Sequence, residues 1–134
     1  MRRPGGRCRA SREASAMDEQ ATIETFLRRM EARDLNDAKA LLAPSFVMVF
    51  PGGREMRTLE ELVAWSKDRY RFVRKRFERF DAAGETVFVS GTLEGEWPDG
   101  TPFDGIRFID RFDLADGKIV RQDVWNDIAE VRAG

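Results

Sequence analysis

"PFDGIRFIDRFDLADGKIVRQDVWND", residues 102–127, is two strand-like segments on either side of Asp116-Gly117. Asp-Gly is a preferred pair for a two-residue hairpin turn, where the backbone must take positive φ. Side chains alternate across a strand, so Phe108, Asp110 and Phe112 share one face of the first segment. Residues 73–81 and 86–97 have the same strand-like character, with turn signals at Ala82-Ala83-Gly84 and Asp99-Gly100. Four consecutive strands with short connections predict an antiparallel meander.

Upstream the period changes. Ile23, Phe26, Leu27 and Met30 recur at i, i+3, i+4 and i+7, which predicts an amphipathic helix over residues 18–32. A short second helix follows, with Asp34 as its cap and Leu35, Ala38, Leu41 and Leu42 as its apolar stripe. Residues 46–50, "FVMVF", read as a buried strand stopped by Pro51-Gly52-Gly53. Thr58-Leu59-Glu60-Glu61 is a capping-box sequence opening a third helix to about residue 69, with Trp65 beside its apolar side. Helices first and a long meander after them define an α+β class, with the helices packed across one face of a curved, mostly antiparallel sheet.

The chain has 134 residues, enough for one core and no second domain. It has no histidine, which excludes Ser-His-Asp and Cys-His catalysis and nearly every zinc site. No EF-hand or P-loop spacing appears, so neither metal nor cofactor is expected. The only cysteine is Cys8, which fits a reducing, cytoplasmic setting. No apolar run approaches the ~20 residues of a membrane span. Residues 1–16 hold five arginines and one glutamate, leaving residues 17–134 mildly acidic. This head is either an organellar targeting segment, a disordered basic tail or an over-long gene start before Met17. The strip "RYRFVRKRFER", residues 69–79, mixes cations and aromatic rings as nucleic-acid surfaces do. Strand alternation divides it, however, sending Arg74 and Arg76 to one face and Lys75 and Arg79 to the other. A solvated or dimer-edge face is therefore expected, with no nucleic-acid partner.

The succession of "EARDLNDAKALLAPSF", a strand into "FPGG", a T-L-E-E-L helix and four strands with "DGKI" in the last hairpin resembles the NTF2-like superfamily, and within it the SnoaL-like proteins. The likeness spans about residues 18–131. It implies an NTF2-like cone, a pocket between the helices and the concave face of the sheet, and a homodimer. Relatives include ketosteroid isomerases and limonene-epoxide hydrolases. In the isomerase pattern the oxyanion-hole tyrosine falls at Phe26, the general base at Phe50 and the second oxyanion-hole acid at Asp110. Two of those three groups are hydrocarbon here, and Phe50 cannot abstract a proton. The aspartate implied by the hydrolase pattern falls at Val124; Asp123, one residue away, points to the opposite face. Neither catalytic set is intact.

Under this resemblance Asp110 is the candidate catalytic acid, facing inward with Phe108 and Phe112, opposite Gln122, Val124 and Asn126. Desolvation there disfavours its charged form. The alternative is an Asp neutralised by Arg107, Arg111 or Arg121, or satisfied by the amides. The expected ligand pocket is Phe26, Met30, Met48, Phe50, Trp65, Phe108, Gln122, Val124 and Asn126, suited to a small hydrophobic ligand with one or two oxygens. Tyr70 is expected beyond the third helix, out of reach of the oxyanion position. Glu94 and Glu96 read as a surface ladder opposite Arg107 and Arg111. Trp125 and Phe103 are expected on the other, dimer-forming face. The functional alternatives are a cofactor-independent isomerase, cyclase or hydratase, and a non-catalytic ligand-binding or protein-interaction module.

Overall fold

The computed structural model describes the backbone over residues 4–133 and the side chains over residues 17–132. Helix α1 (Pro4–Glu31) begins upstream of the expected start. The expectation of a tail or an over-long start for residues 1–16 falls on side chains outside the described ones. From Ile23 onward the helix carries the expected stripe, with Ile23, Phe26, Leu27 and Met30 all buried. Arg33 takes φ 60° and turns the chain into α2 (Leu35–Lys39). Asp34 stands at the cap position without making a side-chain cap bond; its carbonyl accepts from Ala38 N at 3.0 Å.

Strand β1 (Leu42–Phe50) is longer than the apolar run that announced it, and it folds back through Pro51-Gly52-Gly53 into a short strand, β2 (Arg54–Met56). The capping box then forms as expected. Thr58 accepts from Glu61 N at 3.1 Å, Glu61 accepts from Thr58 N at 3.0 Å, and α3 (Leu59–Ser66) follows. The meander is β3 (Phe72–Ala83), β4 (Thr86–Glu96), β5 (Pro102–Ala115) and β6 (Lys118–Asn126). A short helix absent from the sequence reading, α4 (Ile128–Ala133), closes the described chain.

The six strands form one sheet in the order β2-β1-β6-β5-β4-β3. All neighbours are antiparallel except β1 and β6, which run parallel. The Asp116-Gly117 turn takes φ 53° and 76°, as a tight hairpin requires. On β4 every second residue is buried, from Val87 to Gly95. A Cβ on Gly91 would lie 1.9 Å from the Arg76 carbonyl oxygen, so only glycine lets β3 pair at this point.

One irregularity decides which β3 side chains turn inward. Register slips between Phe77 and Arg79, leaving Glu78 as the extra residue of a bulge. Val73, Lys75, Phe77 and Phe80 consequently lie on the partly buried side, and the Phe77 and Phe80 rings meet at 5.5 Å. Arg79 is thrown outward to Asp81 at 2.9 Å, so it does not share a face with Lys75 as simple alternation predicted. Glu94 and Glu96 do form an opposite-charge ladder, but with Arg76 and Arg71 of the β3 side rather than with β5. Phe103 belongs to the core and packs on Trp97 at 4.4 Å, correcting its assignment to the outer face.

Candidate functional site

Strand β3 ends the sheet, so its outward backbone groups need partners from elsewhere. At Lys75 the end of α1 supplies them. Glu31 accepts from Lys75 N at 2.7 Å, and Arg28 donates to the Lys75 carbonyl at 3.0 Å. This double tie fixes the backbone from which the Lys75 side chain runs inward across β4. There Leu93 stands opposite Lys75 and Val89 opposite Asp110, with Gly91, which has no side chain, between them. Lys75 Nζ lies 4.9 Å from the Phe108 ring centre and forms an ion pair with Asp110 Oδ2.

Asp110 is wholly buried, whereas the Lys75 side chain keeps 15% of its exposure. The carboxyl's other oxygen, Oδ1, has no hydrogen-bond partner, nor does Oε1 of buried Gln122. Burial pushes the Asp110 carboxyl above the usual carboxylate range; the Lys75 charge and the nearby Lys75 and Gln122 side chains pull the other way without reversing it. None of the arginines considered from sequence is its partner. Arg107 pairs with Asp127, Arg111 with Asp113 and Arg121 with Asp123, all on or near the outer surface.

In front of this pair, between α1, α3 and the sheet, lies a cavity of about 80 Å³. Of the residues expected to line it, Phe26, Met30, Phe50, Gln122, Val124 and Asn126 do so. The register explains the last three, since Phe112, Asp110 and Phe108 stand opposite Gln122, Val124 and Asn126. Met48 is buried but belongs to the core, and Trp65 backs Phe50 from outside, its ring 5.4 Å away. Phe108 and Asp110 are likewise outside the lining, behind Lys75. Asn126 Oδ1 also accepts from Ile128 N at 3.1 Å, at the entry to α4.

The lining also contains polar groups that the sequence reading left out: Glu31, Arg33, Tyr70 and Lys75. Tyr70 follows α3 as expected, and it is part of that lining. Burial raises its hydroxyl above the ordinary phenol range, opposed by the Arg33 charge, the Ser66 hydroxyl and the Arg69 charge. For Lys75 the signal was present: it alternates with Val73 and Phe77, the partly buried residues of β3. Among the described residues no three His, Cys, Asp or Glu side chains cluster as a metal site would need, and no helix is long and apolar enough to cross a membrane.

An α+β chain with N-terminal helices over a six-stranded mixed sheet, and a cavity between them, has the NTF2-like fold. Solved structures share it. TerC, co-crystallized with polyporic acid, superposes with a TM-score of 0.77 at 21% identity, covering 87% of this chain and 96% of that one. An NTF2-like protein of unknown function from Burkholderia pseudomallei gives 0.74 at 21%, covering 87% and 95%. A putative SnoaL-like polyketide cyclase from Jannaschia gives 0.73 at 18%, covering 87% and 90%. No curated protein sequence matches. Residues 23–122 match the SnoaL-like domain model, and the chain belongs to that family, whose fold is related to that of polyketide cyclases.

Proposed function

We propose that this protein binds a small, largely apolar, oxygen-bearing molecule in the cavity between α1, α3 and the sheet, and that it acts on it as a cofactor-independent isomerase, cyclase or hydratase. The observation carrying this reading is the Lys75–Asp110 pair at the cavity: Lys75 lines it, and behind Lys75 the wholly buried Asp110 carboxyl is raised towards its neutral form and has one oxygen without a hydrogen-bond partner. A neutral carboxylic acid in such a place can supply a proton to the cavity through Lys75. TerC, co-crystallized with polyporic acid, supplies a relative of the same fold with a small oxygenated molecule. The cavity is well below the ~300 Å³ at which drug-sized pockets begin, so the ligand is compact or enters as α1 and α3 move apart.

A second reading, a binding module without chemistry, draws on the hydrocarbon side chains of Phe26 and Phe50 at the cavity wall. Under either reading the chain forms a homodimer through the outer face of the sheet, where Ile109 and Trp125 stand opposite each other and exposed. Thermal unfolding against compact ketones, lactones and epoxides tests the function, with wild type beside Asp110→Asn. Stabilisation that the variant loses, together with turnover of the stabilising compound by wild type, supports the enzyme. Stabilisation without turnover supports the module, and no stabilisation by any compound overturns both.

A further inference from the structure

Resting on that reading of the cavity, we propose that Lys75 is a nucleophilic amine that condenses with the carbonyl group of an aldehyde or ketone ligand, with Asp110 as its proton partner. Of the two members of the buried pair, only Lys75 lines the cavity. Asp110 lies behind it and meets the interior through the lysine. The ammonium has three N–H groups, and Asp110 Oδ2 is its one side-chain acceptor among the described hydrogen bonds. The Lys75 backbone stands opposite Leu93, and its head lies 4.9 Å from the Phe108 ring centre at the cavity wall. The chain has four lysines. The other three, Lys39, Lys67 and Lys118, are exposed, and neither Lys39 nor Lys118 lines this cavity any more than Lys67 does.

The proton balance closes within the pair. The ammonium proton passes to Asp110 Oδ2, converting two buried charges into an amine and a carboxylic acid. Burial favours that direction, and it raises the carboxyl accordingly. The freed nitrogen lone pair attacks the carbonyl carbon as the C=O π pair moves to oxygen, and one proton of the attacking nitrogen moves to that oxygen to give a neutral carbinolamine. The proton held by Asp110 then returns through the nitrogen to the hydroxyl, water leaves as the nitrogen lone pair forms the C=N bond, and a protonated imine faces the Asp110 carboxylate, with no redox partner. A protonated imine acidifies the neighbouring C–H bonds.

The test is reductive trapping with propanal and cyanoborohydride at neutral pH, followed by peptide mapping. Reduction of the imine leaves a propyl group on the reacting nitrogen, and mapping separates Lys75 from the chain's N-terminal amine and the three exposed lysines. Folded wild type should carry the label on Lys75 roughly tenfold faster than on Lys39, Lys67 or Lys118. In urea-unfolded protein the four should react alike. Lys75→Arg keeps a cation beside Asp110 and should lose that label alone. Equal or slower labelling of Lys75 in the folded chain overturns the proposal, a result that needs no variant to fold. If the ligand panel still stabilises wild type in that case, the cavity reading stands and only the amine chemistry falls.

Discussion

Strand β5 places acids on both of its faces, and the two faces treat them differently. Asp110 points inward between Phe108 and Phe112, has no solvent exposure, and meets a cation that reaches it from two strands away. Asp113, three residues on, points outward, bonds the Thr86 hydroxyl at 2.7 Å and pairs with Arg111 two residues back on its own strand. The same residue type is thus a wet, locally neutralised charge in one place and a dry, long-range one in the other. Water compensates the outer pair if either partner is removed; nothing compensates the inner one.

The largest expected effect follows directly. Lys75→Met leaves Asp110 buried without its cation and should cost about 3–5 kcal/mol, lowered to the extent that Asp110 takes up a proton. Adding Asp110→Leu to that variant should recover much of the loss, because an apolar pair leaves no buried charge. Arg111→Met, which breaks the pair on the outer face, should cost no more than about 1 kcal/mol. Urea unfolding of the four proteins measures all of this. Similar losses at Lys75 and Arg111 would break the contrast between the faces.

Much of that contrast was legible in the sequence. Alternation along β5 set Asp110 with Phe108 and Phe112, but the Asp-Gly turn alone would bring Arg121, Asp123 and Trp125 opposite them; a one-residue slip between Leu114 and Asp113 brings Gln122, Val124 and Asn126 there instead. The apolar stripe of α1 and the capping box of α3 were equally plain, since both depend on neighbours three or four residues apart. The partner of Asp110 was harder to see. Alternation tells which face a residue takes but not which residue of a different strand reaches the same point. The three arginines near Asp110 in sequence were the obvious candidates, and each is held by a closer aspartate. The bulge at Glu78 resets the phase of β3, so Lys75 and Arg79, two strand repeats apart, end on different faces. Tyr70 enters the cavity through the short connection between α3 and β3, a path set by packing rather than by any local pattern.

Acidity sharpens the comparison, because the two kinds of acid should respond with opposite sign. The Asp110 carboxyl is raised by burial from its ordinary value of 3.8, so the native state holds this proton more tightly than the unfolded chain. Its contribution to stability is fully present below the unfolded value and is lost as pH rises through the higher native one. Glu60, Glu61 and Asp99 are exposed and lowered, first by hydrogen bonds from Lys39, from the Arg57 backbone and from the Thr101 backbone respectively. Their contributions are present above the ordinary carboxylate range and fade as pH falls through the lowered values. Wild type and Asp110→Asn should therefore diverge with a slope confined to the region above pH ~4. Parallel stability curves for the two proteins would show that the native state does not hold the Asp110 proton more tightly.

The smallest effect on the fold, and the sharpest on assembly, belongs to the outer face. Trp125 is 51% exposed and stands opposite Ile109, itself 39% exposed, on a sheet surface otherwise carrying the ion pairs Arg111–Asp113 and Arg121–Asp123. Such a half-exposed ring contributes little to a single chain, and Trp125→Ser should alter the unfolding of dilute protein by no more than about 0.5 kcal/mol. In a dimer closed by this face, however, the same ring is buried against its copy, and stability acquires a mass-action term. Wild type should then scatter light as a dimer and melt higher as its concentration rises, whereas the variant should scatter as a monomer and melt at one temperature throughout. A concentration-independent monomer for wild type would remove the dimer and leave the outer face as a solvated counterpart to the dry one.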